Sequence, residues 1–168
     1  MNKRAVTLHG DQFTAIGKKL EVGQKAPEFK LIDNALQTKS LGDYGKGVKL
    51  ISIVPSLDTG VCDQQTRRFN EEISSIPGAT VITVSVDLPF AQKRWCGAAG
   101  LDKAVTLSDH KDVTFGEAYG VLIEELRLLA RAVLVLDGNN TIAYVQYLEE
   151  MTGHPNYEKA ISALRALA

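Results

Sequence analysis

The segment Pro55-Ser-Leu-Asp-Thr59-Gly-Val-Cys62 sets a cysteine at a strand-to-helix turn. An apolar run, Val48 to Val54, precedes it and an amphipathic segment follows, so Cys62 falls in the first turn of a helix. Unpaired N–H groups there carry partial positive charge, which favours thiolate and makes a sulfur nucleophile. A thiol of pKa ~8.5 is about 3% thiolate at neutral pH, so lowering the pKa to about 6 multiplies the reactive fraction roughly thirtyfold. Each thiolate also becomes a weaker nucleophile as its pKa falls. Thiol activation alone therefore does not make a fast enzyme. Hydroxyls, backbone N–H groups or an arginine must stabilise a departing oxygen and align the attack.

Core packing is the competing use of Cys62, since free cysteines are often buried. Its place beyond the carboxyl end of a strand, where α/β sheets hold their sites, favours chemistry. Thr59 is the nearest hydroxyl, with helix capping as its alternative use, and Asp58 is a second candidate cap. Arg131 stands at the edge of the apolar run Leu128-Leu-Ala-Arg131-Ala-Val-Leu-Val. A cation there should have an anionic partner, because an unpaired buried charge is costly. Arg127 is its exposed competitor; Asp87, Glu149 and Glu150 are candidates for structural ion pairs. The second cysteine, Cys96, either packs beside Trp95 or forms a redox pair with Cys62. A disulfide needs Cα atoms within about 7 Å. Two intact helices rarely offer that, so pairing calls for local unwinding of one segment. There is no CxxC motif, and His9, His110 and His154 fall in loops or at edges. These facts disfavour an ordinary dithiol oxidoreductase, a cysteine–histidine hydrolase and a zinc site. Gly97 to Gly100 does not match a phosphate-binding loop, so no nucleotide site is expected.

The elements that must hold these residues alternate. A hairpin is expected from Arg4–Leu8 and Gln12–Ile16, then short strands at Phe29–Ile32 and Thr38–Leu41. Lys49–Val54 and Thr80–Val86 read as buried strands. Between them Cys62, Thr66, Phe69 and Ile73 form one helical stripe, ended by Pro77-Gly78. Pro89–Ala99 reads as a helix opened by proline, and Ala104–Leu107 as a strand. A helix at Thr114–Tyr119 follows, then a hairpin of Ala130–Leu136 and Thr141–Leu148 around Asp137-Gly-Asn-Asn140. Tyr157–Leu167 closes the chain, with Ile161, Leu164 and Leu167 on one helical face. This order predicts a single α/β domain over 1–168, with a mixed central sheet flanked by helices and an N-terminal β-hairpin, the plan of the thioredoxin fold. The 168 residues are 45% apolar and 23% charged with net charge -1, which suits a globular core and disfavours nucleic acid or anionic membrane as partners. The first residues lack the apolar stretch of a signal peptide and no window suits a membrane span, so the cytoplasm is the expected compartment, with the periplasm as the alternative.

Four motifs together resemble the bacterial thiol peroxidases, the atypical two-cysteine peroxiredoxins. They are Pro55-Ser-Leu-Asp-Thr-Gly-Val-Cys62, Ser85-Val-Asp-Leu-Pro-Phe-Ala-Gln92, Trp95-Cys96-Gly97 and Ala130-Arg131-Ala132-Val133. The resemblance implies a thioredoxin-like peroxiredoxin fold and a homodimer. It implies reduction of hydrogen peroxide and alkyl hydroperoxides, with Cys62 as the peroxidatic cysteine and Cys96 as the resolving one. Thr59 and Arg131 would hold the thiolate and polarise the O–O bond, and Pro55 would shield the sulfur from water. Cys62 would become a sulfenic acid, then a disulfide with Cys96. No bound cofactor is implied; thioredoxin, fed by its reductase and NADPH, would supply the electrons. Leu88, Pro89 and Phe90 are the expected apolar substrate wall. Trp95 stands where relatives often carry phenylalanine, and Glu124–Leu129 does not align.

Overall fold

Lys49-Leu-Ile-Ser-Ile53 and Thr80-Val-Ile-Thr-Val-Ser85 are almost wholly buried along their length, as strands covered on both faces must be. The computed structural model describes residues 2–168. Its strands are β1 (Lys3–Leu8), β2 (Asp11–Ile16), β3 (Leu31–Ile32), β4 (Thr38–Lys39), β5 (Lys49–Ile53), β6 (Thr80–Ser85), β7 (Val105–Ser108), β8 (Leu122–Ile123), β9 (Leu128–Leu129), β10 (Ala132–Leu136) and β11 (Ile142–Tyr147). The helices are α1 (Gly60–Ile73), α2 (Pro89–Ala99), α3 (Thr114–Ala118) and α4 (Tyr157–Leu167), with a 3-10 turn at Leu41–Tyr44. One mixed sheet runs in the order β11-β10-β5-β6-β7-β3-β4, and β1-β2-β8-β9 form a second, antiparallel sheet. The centre β5-β6-β7 is parallel; β10 and β3 add to it antiparallel.

Strand–helix–strand crossovers of one hand put α1 and α2 on the same face of the large sheet. The side-chain alternation agrees. Leu50, Val81, Val133 and Val135 pack with Phe69 and Ile73 of α1 and with Tyr157, Ile161 and Leu164 of α4. Their neighbours Ile51, Ile53, Ile82, Val84 and Leu134 point the other way, onto Phe115 and Tyr119 and onto the second sheet through Val6, Ala15 and Leu129.

The N-terminal hairpin forms as expected, but Asp11 joins its second strand, so the turn is two residues and Val6 lies opposite Phe13. His9 and Gly10 turn it with φ of 52° and 85°, the paired positive φ that matches strand twist. The hairpin reaches further than its sequence shows, because β2 also pairs with β8. Strands β8 and β9 have two residues each around an exposed turn, too few for a period-2 pattern to register. Phe29, expected to open a strand, precedes β3 and packs edge-on against Phe115 at 5.7 Å. Leu41 begins the 3-10 turn instead of ending a strand. Leu167 is exposed because α4 ends there, beyond the reach of the sheet.

Leu134 sits fully buried at the middle of β10, between β5 and β11. Leu134→Ala should lower unfolding free energy by about 2–5 kcal/mol, read from urea unfolding midpoints. A loss below about 1 kcal/mol would show that this layer of the core is loosely packed.

Candidate functional site

The site forms where β5 ends and β10 begins. Ala132 lies opposite Ile53 in the sheet register, so Arg131, one residue before β10, stands beside the turn that leads from β5 into α1. That turn carries Cys62 at the third residue of α1. Arg131 Nη2 is 3.2 Å from Cys62 Sγ. The two side chains are essentially inaccessible to solvent, Cys62 at 0% and Arg131 at 1% exposure.

A guanidinium this deeply buried must find acceptors. Arg131 Nη1 donates to Gln65 Oε1 (2.8 Å), and Nε and Nη2 both donate to the Met151 carbonyl (3.0 and 2.7 Å). Gln65 in turn donates to Ser52 Oγ on β5 (2.7 Å). Among the described residues no carboxylate forms an ion pair with Arg131. The Cys62 sulfur is thus one of the groups toward which the buried cation directs an N–H.

The carboxylates expected to pair with cations do other work. Asp87 accepts the Ser56 hydroxyl (2.7 Å), the Leu57 N–H (2.8 Å) and the Ser85 hydroxyl (2.7 Å), which moulds the turn before α1. Glu149 is exposed and lends its backbone carbonyl to the Thr7 N–H (2.7 Å). Glu150 gathers the hydroxyls of Thr7 and Thr152 and the N–H groups of Gly10 and Thr152 at 2.7–3.0 Å. It therefore ties the tip of the N-terminal hairpin to the loop whose Met151 carbonyl holds Arg131. Those donors, the Thr152 hydroxyl foremost, hold its carboxyl down at about 2. Arg127 is exposed and donates to the His110 carbonyl (2.8 Å), so it is no rival to Arg131.

Thr59 occupies the N-cap position of α1 without making the side-chain cap. Its hydroxyl donates instead to the Ser56 carbonyl (3.1 Å), and Asp58 points away to Arg94 at 3.9 Å. Neither side chain caps the helix. A cavity of about 270 Å³ opens beside Arg131, lined by Pro55, Thr59 and Val61 of the turn, Leu8 and His9 of the hairpin, and Met151. Pro55 is buried in that wall. Leu88, Pro89 and Phe90 are not in it. They open α2, with Leu88 and Phe90 exposed at 52% and 66%.

Cys96 belongs to the same small cluster as Cys62, together with Val54, Leu57 and Trp95. Both cysteines are free. Cys96 Sγ is 3.7 Å from Thr106 Oγ1, and burial pushes its thiol up from its ordinary range. The Gln65, Glu150 and Met151 contributions were not legible from the chain alone. Gln65 left one faint mark, a polar residue three positions after Cys62 on the same helical face. Among the described residues there is no cluster of three or more histidine, cysteine or acidic side chains able to hold a metal, and no helix is long and apolar enough to cross a membrane.

The Redoxin family model matches residues 21–161. The chain is 57% identical to the thiol peroxidase of Halalkalibacterium halodurans, over 96% of this chain and 98% of that one. It is 56% identical to the thiol peroxidase of Bacillus subtilis, over 96% and 97%. Among solved structures it resembles a peroxiredoxin-like protein from Aquifex aeolicus, with TM-score 0.90 and 39% identity over 98% of each chain.

The position of Glu150 predicts a pH signature. A carboxyl held low when folded contributes stability that is complete above its unfolded value of about 4.5 and disappears as pH falls toward about 2. Glu150→Gln should therefore be less stable than the parent at pH 7, and the gap in thermal midpoint should narrow below pH 4. A gap that stays constant with pH would remove the carboxylate from this role.

Proposed function

The chain belongs to the redoxin family and, within it, to the thiol peroxidases, and on that premise we propose how its residues divide the work. It is a thiol-dependent peroxidase that reduces peroxides. The single observation that best supports Cys62 as the attacking sulfur is its 3.2 Å contact with a buried Arg131 that has no carboxylate partner among the described residues. Cys62 thiolate attacks one peroxide oxygen, the O–O bond breaks, and water or an alcohol leaves as the sulfur becomes a sulfenic acid. Arg131 steadies charge on sulfur and on the departing oxygen. Thr59 lies in the cavity wall, where its hydroxyl can turn from Ser56 to the peroxide, and Pro55 keeps water off the sulfur. The α1 N-terminus adds backbone N–H groups.

Cys96 then condenses with the sulfenic acid to give an intramolecular disulfide, and reduced thioredoxin, recharged by its reductase and NADPH, reopens it. Both cysteines are buried in intact helices, so one segment must unwind first. The apolar lining from Leu8, Val61 and Met151 suits alkyl hydroperoxides as well as hydrogen peroxide. Leu88 and Phe90, exposed side by side, suit contact with a second copy in a homodimer. The cytoplasm, with its thioredoxin pool, is the compartment that fits this cycle.

Arg131→Lys keeps the charge and loses the fork, so the second-order rate of peroxide reduction should fall about 10²-fold, measured by stopped flow. A rate within threefold of the parent would remove Arg131 from the reaction. Cys62→Ser should consume no peroxide, whereas Cys96→Ser should complete one turnover and accumulate sulfinic acid, both followed by mass spectrometry. A thiol of pKa ~8.5 is mostly protonated at neutral pH, so once a segment has unwound the Cys96 thiolate, and with it disulfide formation, should rise by up to about tenfold per unit as pH climbs from 7 to 8.5. A disulfide rate that falls over that range contradicts Cys96 as the attacking thiol.

A further inference from the structure

Each cysteine has a neighbour in sequence that is tied to the other helix. Asp63 follows Cys62 on α1, and Trp95 precedes Cys96 on α2. Trp95 Nε1 donates to Asp63 Oδ1 at 2.8 Å. The other carboxylate oxygen accepts from Arg67 Nε at 3.0 Å, and the Arg67 guanidinium lies over the Trp95 ring, 5.4 Å from its centre. Arg67 also reaches the Ala99 carbonyl near the end of α2, at 3.5 Å. Three side chains thus lock the first turns of α1 to the middle of α2, directly over the cluster that holds both thiols.

We propose that Asp63, Trp95 and Arg67 form a latch that positions both cysteines apart and sets the rate of disulfide formation after peroxide attack. This rests on the reading of Cys96 as the resolving cysteine. The latch opens whichever helix yields. Unwinding around Cys62 carries Asp63 away, and unwinding around Cys96 carries Trp95 away; either motion breaks the same hydrogen bond. An open cavity of about 320 Å³ adjoins the latch, lined by Leu57, Thr59, Gly60, Asp63 and Trp95, so the first turn of α1 has room to move. A phenylalanine in place of Trp95 would keep the ring and lose the N–H donor.

The latch acts on a competition. Cys62 sulfenic acid and Cys96 thiol condense to the disulfide, the sulfenic oxygen and the thiol proton leaving as water. Alternatively a second peroxide oxidises the sulfenic acid to sulfinic acid and is itself reduced to alcohol or water. A closed latch prolongs the sulfenic acid and feeds the second route.

The test uses the full-length chain and hydrogen peroxide, with acid quench and mass spectrometry. Trp95→Phe should form the Cys62–Cys96 disulfide about fivefold faster, the scale of one partly exposed charge-assisted hydrogen bond. Its sulfinic fraction at a fixed excess of peroxide should fall by a similar factor. Asp63→Ala should shift both readouts the same way, and serves if Trp95→Phe does not fold. Trp95 is the only tryptophan, so its emission should change with disulfide formation in the parent and in Asp63→Ala. An unchanged or slower disulfide step in these variants, while the parent still links Cys62 to Cys96, overturns the latch alone. Failure of the parent to form that link overturns the resolving role of Cys96, and the latch with it.

Discussion

The Arg131 guanidinium is a charge inside the protein, and the site is arranged around its need for acceptors. Its donors are directed to the Gln65 amide oxygen, the Met151 carbonyl and the Cys62 sulfur. The first two are neutral. The third is a thiol sulfur, so the burial that makes an isolated arginine costly turns one of its donors toward Cys62. A carboxylate in that position would satisfy the arginine and leave the sulfur without its donor. The polar environment around Arg131 therefore suits a reaction as well as stability.

Each acceptor is held by a different layer of the fold. Gln65 is anchored to Ser52 on β5, in the interior of the mixed sheet. The Met151 carbonyl depends on a loop clasped by Glu150 to the tip of the N-terminal hairpin. The hairpin is itself continued into a sheet by β8 and β9. An accessory element at the chain's start thus does two things, steadying the loop that grips the arginine and walling the cavity through Leu8 and His9. The turn before α1 has its own brace in Asp87, whose hydrogen bonds shape the approach of Pro55 and Thr59.

The second cysteine lives under opposite demands. Cys96 is packed with Cys62 in one apolar cluster, yet each is fixed in an intact helix, and burial favours its protonated form. A disulfide calls for Cα atoms within about 7 Å, which two intact helices rarely offer, so the proposed cycle puts a rearrangement between its two steps. The contacts that cross from α1 to α2 are the natural place for its barrier.

Local pattern was enough for much of this. The stripe Cys62, Thr66, Phe69, Ile73, the apolar runs of β5, β6 and β10, and the proline and glycine stops are nearest-neighbour facts of the chain, and they gave the α/β plan with few shifts of boundary. The placing of Cys62 in the first turn of α1 was legible for the same reason, since a strand-to-helix turn is local. The partners of Arg131 were not. Ser52, Gln65, Arg131 and Met151 lie on four separate stretches, and only the antiparallel seating of β10 against β5 brings them together. Thr59 looked like a cap because its position is that of one, but its hydroxyl went to Ser56. Leu88 and Phe90 lie at the opening of α2, outside the cavity that the hairpin tip helps to line. Residue type and spacing decide which chemistry is present and on what element. Which buried charge meets which acceptor is decided by sheet order and register, which link residues that no sequence period connects.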